Sequence, residues 1–254
     1  MKHSSKKLLL WLYPETAAQK RRVSIDQLDW VLAELTPAGR LSLVRHLVRQ
    51  QLVFIDQVQG FVSLSLSSHG KLQLEADFPA LTVSWSEWKG KWQLIVFTKA
   101  PSTDKNFRYL RTILLQTHCF PLNRGVYLYP GDLPTKLIEL LHQIYREKVV
   151  VAECTNWRFG DDLIFIGQNP QVKGLSEVYS GISKEVEELL IKKSKINRLS
   201  DRQKMTLASI FDRFVTVLSD DIGLVSLYYP NSPNGKTILN SIKSNYPSGF
   251  SLLK

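Results

Sequence analysis

The segment spanning residues 38–52 carries the side chains in this sequence that are best suited to bind DNA. Its apolar residues Leu41, Val44 and Val48 share one face of a predicted helix. The opposite face is polar, with i, i+3, i+4, i+7 spacing, and comprises Ser42, Arg45, His46 and Arg49. An arginine fork pairs bidentately with guanine O6 and N7, and each such pair contributes about 1–3 kcal/mol of discrimination. We therefore interpret this face as a DNA contact, the alternative being a solvated basic helix face.

Further candidates for DNA contact surround this helix. Arg40 and Gln50 lie near its two ends, as candidates for base or phosphate contact. A basic segment earlier in the chain could bind phosphate or could be a solvated turn; it consists of Lys20, Arg21 and Arg22. Lys71, together with His69, follows a predicted hairpin and is a weaker candidate.

The elements that would position this face make up residues 1–80. Residues 6–12 suggest a short helix, and Ser24 suggests the cap of a second, whose apolar stripe is Ile25, Leu28, Leu32 and Leu35. Thr36 followed by Pro37 is a strong start signal for the third helix. Residues 53–55 and 61–66 then read as a β-hairpin. Three helices followed by a hairpin predict a winged helix-turn-helix, which places its last helix in the major groove.

The rest of the chain predicts two further segments joined through a connector at residues 81–87. Residues 88–168 alternate strands and helices, which favours a ferredoxin-like α/β sandwich, with a last strand at 163–166. Residues 169–254 form a predicted helical domain, with Ser183 capping one helix and a longer helix at 201–218. The predicted fold class is therefore α+β.

Composition favours a polyanionic partner. The formal net charge is +10 and the isoelectric point is near 9.5. Cations that neutralise phosphates release condensed counterions, so double-stranded DNA is the expected partner. No apolar run approaches the roughly 20 residues that span a bilayer, and Cys119 and Cys154 form no CxxC pair. These features predict a cytoplasmic protein with reduced thiols and no membrane partner.

The central segment carries spaced residues that resemble the PaaX family of transcriptional repressors. The pattern W-x-G-x-W is matched by Trp88, Gly90 and Trp92. The later R-x-x-L-R and G-[VL]-[YW]-x-x-P patterns are matched by Arg108, Leu110, Arg111, Gly125, Val126, Tyr127 and Pro130, with Arg108 one residue closer to Leu110. The C-terminal motif differs, since Ile222 stands where the family has its first proline. The resemblance implies a repressor that acts as a homodimer and is released from DNA by an acyl-CoA-type effector.

The residue pattern does not favour catalysis. The predicted central fold also resembles that of metal-dependent CRISPR-adaptation nucleases, which place an aspartate at the end of the first strand. Here residues 93–98 contain no acidic residue, and Asp104 comes later. Neither the Asp161-Asp162 pair nor His118-Cys119 has metal or nucleophile spacing, and no nucleotide-binding loop is present. We therefore predict no catalytic residue, metal or cofactor, and interpret Trp88 and Trp92 as packing residues at a domain boundary; a nuclease or an inactive relative remains the alternative function.

Overall fold

The chain combines helices with antiparallel sheets, in agreement with the predicted α+β class. The computed structural model describes residues 1–15, 20–58, 61–82, 90–98, 105–117, 119–160, 162–193 and 200–245. Two compact units are present: Met1–Val83 together with Pro170–Lys254, and Ser84–Asn169. The N-terminal and C-terminal segments, which the sequence pattern treats as separate domains, thus belong to one unit.

The elements follow one another along the chain in three groups. The first group is α1 (His3–Leu12), β1 (Arg22–Ser24), α2 (Leu28–Val31), α3 (Pro37–Arg49), β2 (Val53–Val58), β3 (Phe61–Leu66) and α4 (Ser68–Asp77). The second is β4 (Trp92–Phe97), α5 (Lys105–Gln116), β5 (Phe120–Asn123), β6 (Val126–Pro130), α6 (Thr135–Ile144) and β7 (Val149–Cys154). The third is α7 (Pro170–Lys193), α8 (Asp201–Asp220), α9 (Leu224–Tyr228) and α10 (Gly235–Asn245).

A three-stranded antiparallel sheet of order β1-β3-β2 supports the helices of the first group. Val23 of β1 pairs with Leu64 of β3, and both side chains are buried. The helical segment predicted after Ser24 begins at Ile25, but its first turn is a 3-10 turn and α2 ends at Val31, short of Leu35. Ser24 ends β1, because burying Val23 requires an extended backbone there, and a 3-10 turn separates it from the short α2.

The predicted start of α3 is confirmed. The hydroxyl of Thr36 accepts a hydrogen bond from the Gly39 amide at 3.2 Å, and Pro37 occupies the first helical position. The helix ends at Arg49, followed by Gln51 in the left-handed region at φ 59°. This turn reverses the chain into β2, so both ends of the polar helix are fixed by local structure.

The C-terminal helices differ in detail from the sequence expectation. Ser183 lies inside the continuous helix α7 and caps nothing; its hydroxyl donates to Glu187 Oε1 at 3.2 Å. Residues Leu163–Gly167, a predicted strand, form a π-helical turn that leads into α7. A reciprocal capping box between Ser200 and Gln203 starts α8, which extends to Asp220.

A buried aromatic cluster joins helices from the two ends of the chain. The rings of Trp11 on α1 and Trp30 on α2 meet edge to face with centroids 4.7 Å apart. Phe211 on α8 lies 6.0 Å from Trp11 and 5.9 Å from Trp30. All three side chains are almost fully buried, so α8 completes the core beneath the first two helices.

An ion-pair network around the buried Lys7 joins the same three parts of the unit. The Lys7 ammonium lies 2.8 Å from Glu34 Oε2 and 3.1 Å from Asp212 Oδ1, and only 3% of its side chain is exposed. His3 Nε2 lies 2.9 Å from the same Asp212 oxygen. Burial acts to raise the pKa of each carboxyl, but the hydrogen bonds that Glu34 receives from Lys7, and Asp212 from His3 and Lys7, hold both pKa values below their ordinary ranges.

The second unit is a four-stranded antiparallel sheet of order β5-β6-β4-β7. Its elements alternate as strand, helix, strand, strand, helix, strand. The core includes Ile95, Phe97, Leu110, Leu141 and Tyr127, drawn from the sheet and both helices. Trp92 is fully buried in β4, whereas Trp88 lies outside the described residues. The short strand β5 has no counterpart in the sequence prediction.

Replacing Phe211 with alanine should lower the free energy of unfolding by about 3–5 kcal/mol, because a fully buried aromatic ring is removed from the cluster. Met205→Ala on the same helix is the matched control, since that side chain is 74% exposed, and it should change stability by less than about 0.5 kcal/mol. Urea unfolding followed by tryptophan fluorescence measures both. Equal effects of the two variants would contradict the central place of the cluster.

The Lys7 network should make stability dependent on pH. Because the folded-state pKa values of Glu34 and Asp212 are lowered, their contribution is complete above their ordinary pKa values of 4.5 and 3.8 and is lost as pH falls through the lower folded values. Lys7→Met should therefore reduce the loss of unfolding free energy on acidification, whereas Lys2→Met, at an exposed position, should not. Identical pH profiles for wild type and Lys7→Met would contradict the assignment.

Candidate nucleic-acid interface

The outward face of α3 presents the predicted polar residues to solvent. The exposed side chains are Ser42, Arg45, His46, Arg49 and Gln50. Val44 and Leu47 are buried on the opposite face and anchor the helix. Leu41, predicted on the apolar face, is instead 43% exposed, and Leu47 takes the core position in its place. The helix therefore shows solvent a wider surface than its apolar pattern indicates.

The charged groups on this face are available to a partner. The side chains of Arg45, His46 and Arg49 make no hydrogen bond or ion pair with any residue that the structure describes. Arg45 and Arg49 are four positions apart, which places them one above the other on the helix surface. Like charges at this spacing repel each other, so an anion placed against both would relieve that repulsion.

Gln50 extends this face at the C-terminal cap of α3. Its backbone amide donates to the carbonyl of His46, and its side chain is exposed. An amide side chain can pair bidentately with adenine or donate to a phosphate. The five residues therefore form one continuous set, from Ser42 to the end of the helix.

Lys20 and Arg22 form a second cationic group around Asp56 on the sheet. Lys20 Nζ lies 3.5 Å and Arg22 Nε 3.9 Å from Asp56 Oδ2, and both cationic side chains are about half exposed. Exposed pairs at these distances contribute little stability, and a single carboxylate leaves one excess positive charge. The expected basic loop is in part strand, since Arg22 begins β1.

Arg21 does not take the role predicted for it in a phosphate-binding loop. Its side chain is only 8% exposed and pairs with Glu15 Oε1 at 3.0 Å. Its guanidinium carbon stacks 4.6 Å from the ring centroid of Trp11. Burial lowers the pKa of Arg21, while Glu15 acts to raise it. The residue faces the core of its unit because it closes over Trp11, and it is not placed to meet a phosphate at the surface.

Arg40 also does not take its predicted role in contact with bases or phosphate. Its Nε donates to the Leu32 carbonyl at 3.1 Å, and its guanidinium forms an ion pair with Asp29. These contacts tie the start of α3 to α2 and leave 16% of the side chain exposed. Arg40 therefore sets the relative placement of the two helices and does not belong to the free cationic face.

Lys71 lies on α4, a helix that the sequence reading did not anticipate after the hairpin. It is partly exposed and lies 3.8 Å from Glu75 Oε1. Glu75 also accepts a hydrogen bond from the Tyr13 hydroxyl at 2.8 Å. Burial, together with this carboxylate, raises the pKa of Tyr13. Lys71 is thus partly neutralised by its own helix.

The hairpin adds apolar residues that the sequence pattern did not single out. Phe54 and Ile55 are 49% and 45% exposed, although they lie in β2. The Lys20 ammonium lies 5.4 Å from the centroid of the Phe54 ring. Within β3, the polar residues Ser63 and Ser65 are buried, whereas the apolar Val62 is exposed. No local signal in the sequence distinguishes an exposed strand phenylalanine from a core one.

The described residues give no support to metal binding. They contain no group of three or more His, Cys, Asp or Glu side chains placed to hold a metal ion. Burial raises the pKa of the Cys119 thiol to about 12, and Cys154 is a half-buried free thiol. Asp104, His118 and Asp161 lie outside the described residues. Within the described part of the chain, no helix is both long and apolar enough to cross a membrane.

No protein-family model and no curated protein matches the chain. A solved structure with a similar chain trace is the uncharacterized protein Rv0674 from Mycobacterium tuberculosis, with 16% sequence identity and a TM-score of 0.48. The match covers 94% of this chain and 90% of that one. At this TM-score the similarity carries no argument about function.

Arg40 and Arg45 should differ in their contribution to the free energy of unfolding. Arg40→Met should lower the free energy of unfolding by about 1–2 kcal/mol, because it breaks hydrogen bonds made by a charged group. Arg45→Met, which removes no hydrogen bond or ion pair to a described residue, should change it by less than about 0.5 kcal/mol. Urea denaturation of both variants gives the comparison, and a larger loss for Arg45→Met would contradict the roles assigned here.

Proposed function

We propose that this protein is a DNA-binding transcriptional regulator, a repressor that acts as a homodimer on an operator. The observation that carries the proposal is the face of α3, where Arg45 and Arg49 are exposed without an ion-pair partner among the described residues. Such a surface has the chemistry to contact guanine edges and phosphates together.

The connectivity around α3 supports this proposal. Helix, strand, helix, helix and hairpin, with the sheet order β1-β3-β2, is the arrangement of a winged helix-turn-helix. In that arrangement the second helix of the pair enters the major groove, whose width of about 12 Å accommodates an α-helix. Thr36 and Pro37 fix the start of α3, and the contacts of Arg40 join that end of the helix to α2.

The surfaces flanking α3 support contact with the DNA backbone. Lys20 and Arg22 carry one excess positive charge beside the exposed hairpin residue Phe54. The hairpin of a winged helix lies next to the backbone or the minor groove, where such cations meet phosphate. We assign base contact to the α3 face and backbone contact to Lys20 and Arg22.

The second unit supports the dimeric part of the proposal. The strand order β5-β6-β4-β7 with two helices on one face is the arrangement of a ferredoxin-like sandwich. Its edge strand β7 exposes Val150 and Val151. A symmetric operator requires a symmetric protein, and an exposed edge is a common surface for self-pairing. The proposal places the protein in the cytoplasm, with release by an acyl-CoA-type effector as the resemblance to PaaX repressors implies.

The test begins with selection of bound duplexes from a random library, followed by anisotropy titration of the enriched site. Arg45→Ala with Arg49→Ala should weaken binding to that site by at least about tenfold, since each guanine contact contributes about 1–3 kcal/mol. The double variant should also reduce the steepness with which binding falls as salt rises, because fewer counterions are released.

The matched control removes the same charge elsewhere. Lys105→Ala with Arg108→Ala takes two exposed cations from α5 and should leave affinity for the selected site nearly unchanged. If both double variants bind as the wild type does, or if no sequence is enriched, the proposal is wrong. Cleavage of the duplexes that requires Mg²⁺ or Mn²⁺ would instead favour the nuclease alternative.

A further inference from the structure

The second unit contains a cavity that the proposed DNA contact does not use. Its volume is about 380 Å³, and it lies between α6 and the helix-covered face of the sheet beside β7. Small-molecule pockets usually measure about 300–1,000 Å³, so the cavity is of sufficient size for a small ligand. All of its lining residues belong to this one unit.

The wall of the cavity is mainly apolar. Leu133 and Leu141, both buried, form its floor together with Val149, and Ile138 and Val151 form its more exposed margin. Val149 and Val151 pair with Phe97 and Ile95, so the cavity is a continuation of the hydrophobic core. An apolar body placed here would remove water from these side chains, which favours binding.

The two ends of the cavity differ in charge. His142 lies in the last turn of α6 and Arg146 two residues beyond its end, and their side chains make no hydrogen bond or ion pair with the described residues. At the other end, Asp132 lies 2.7 Å and Glu153 2.8 Å from the Lys91 ammonium. Two carboxylates on one lysine leave that end with an excess negative charge, which repels an anion toward Arg146.

We propose that this cavity binds a small molecule with an apolar body and a single carboxylate, the carboxylate on Arg146 and the body against Leu141, Val149 and Val151. An arginine fork donates two parallel, charge-assisted hydrogen bonds to a carboxylate. The excess negative charge around Lys91 fixes the orientation, and Gln93 supplies a polar group at that end. Neither the carboxylate contact at Arg146 nor the apolar contact with Leu141, Val149 and Val151 depends on DNA binding.

The test uses three probes that share one tail and differ in their head group: octanoate, octylamine and 1-octanol. Isothermal titration calorimetry of the full chain should show octanoate binding more tightly than either of the others. Arg146→Met should weaken octanoate binding by about tenfold or more, because a charge-assisted hydrogen bond contributes about 1.5–3 kcal/mol. The same variant should bring octanoate and octanol to similar affinities.

Two matched controls separate the site from general effects. Arg158→Met removes an exposed positive charge of the same unit that does not line the cavity, and it should leave octanoate binding unchanged. Val151→Phe should block the cavity, whereas Leu115→Phe, at an exposed position of α5 that does not line the cavity, should not. Circular dichroism establishes that each variant is folded.

Three results would overturn the proposal: no octanoate binding at its solubility limit, equal affinity for octanoate and octanol in the wild type, or equal effects of Arg146→Met and Arg158→Met. No DNA is present in these calorimetric titrations. Failure here therefore leaves the proposed regulator untouched, and failure of the operator selection leaves the ligand site untouched.

Discussion

The contact of Trp11, Trp30 and Phe211 is the interaction on which the first unit depends. Helix α2 has only one turn, and so short a helix has no stability of its own in water. It exists because Trp30 is held between α1 and α8. Since Arg40 ties α3 to α2, the direction in which Arg45 and Arg49 point is set, through these contacts, by a helix from the far end of the chain.

Several of the cationic side chains of the first unit are buried and do not contribute to its surface. Lys7, Arg21 and Lys243 are all buried in the first unit. Lys243 donates to the Tyr13 carbonyl, and burial, with Arg21 nearby, holds its pKa well below its ordinary value. These cations organise the interior and offer nothing to a polyanion. A net charge of +10 therefore overstates the positive charge that the surface presents, and position matters more than the total.

The parts of the fold that could be predicted are those with local causes. Thr36 and Pro37 define the start of α3 by their own chemistry, and the alternation of the central segment follows from hydrophobic periodicity. Strands β1 and β5 escaped prediction because they are only three and four residues long and form through pairing with distant strands. Arg21 and Arg40 were misassigned for a related reason: an arginine's exposure depends on partners such as Trp11 and Asp29, which spacing along the chain does not reveal.

The order of the two units along the chain has a consequence for biosynthesis. The polypeptide leaves the first unit at Val83 and returns to it at Pro170, so the second unit is an insertion within the first. During translation, Trp11 and Trp30 emerge from the ribosome long before Phe211, so the aromatic cluster cannot form until α8 has been synthesised. The inserted unit is contiguous in sequence, so its contacts do not depend on α8, and its folding would shorten the loop that must close when α8 arrives and lower the entropic cost of closure. The part of the protein that is made first is therefore completed last.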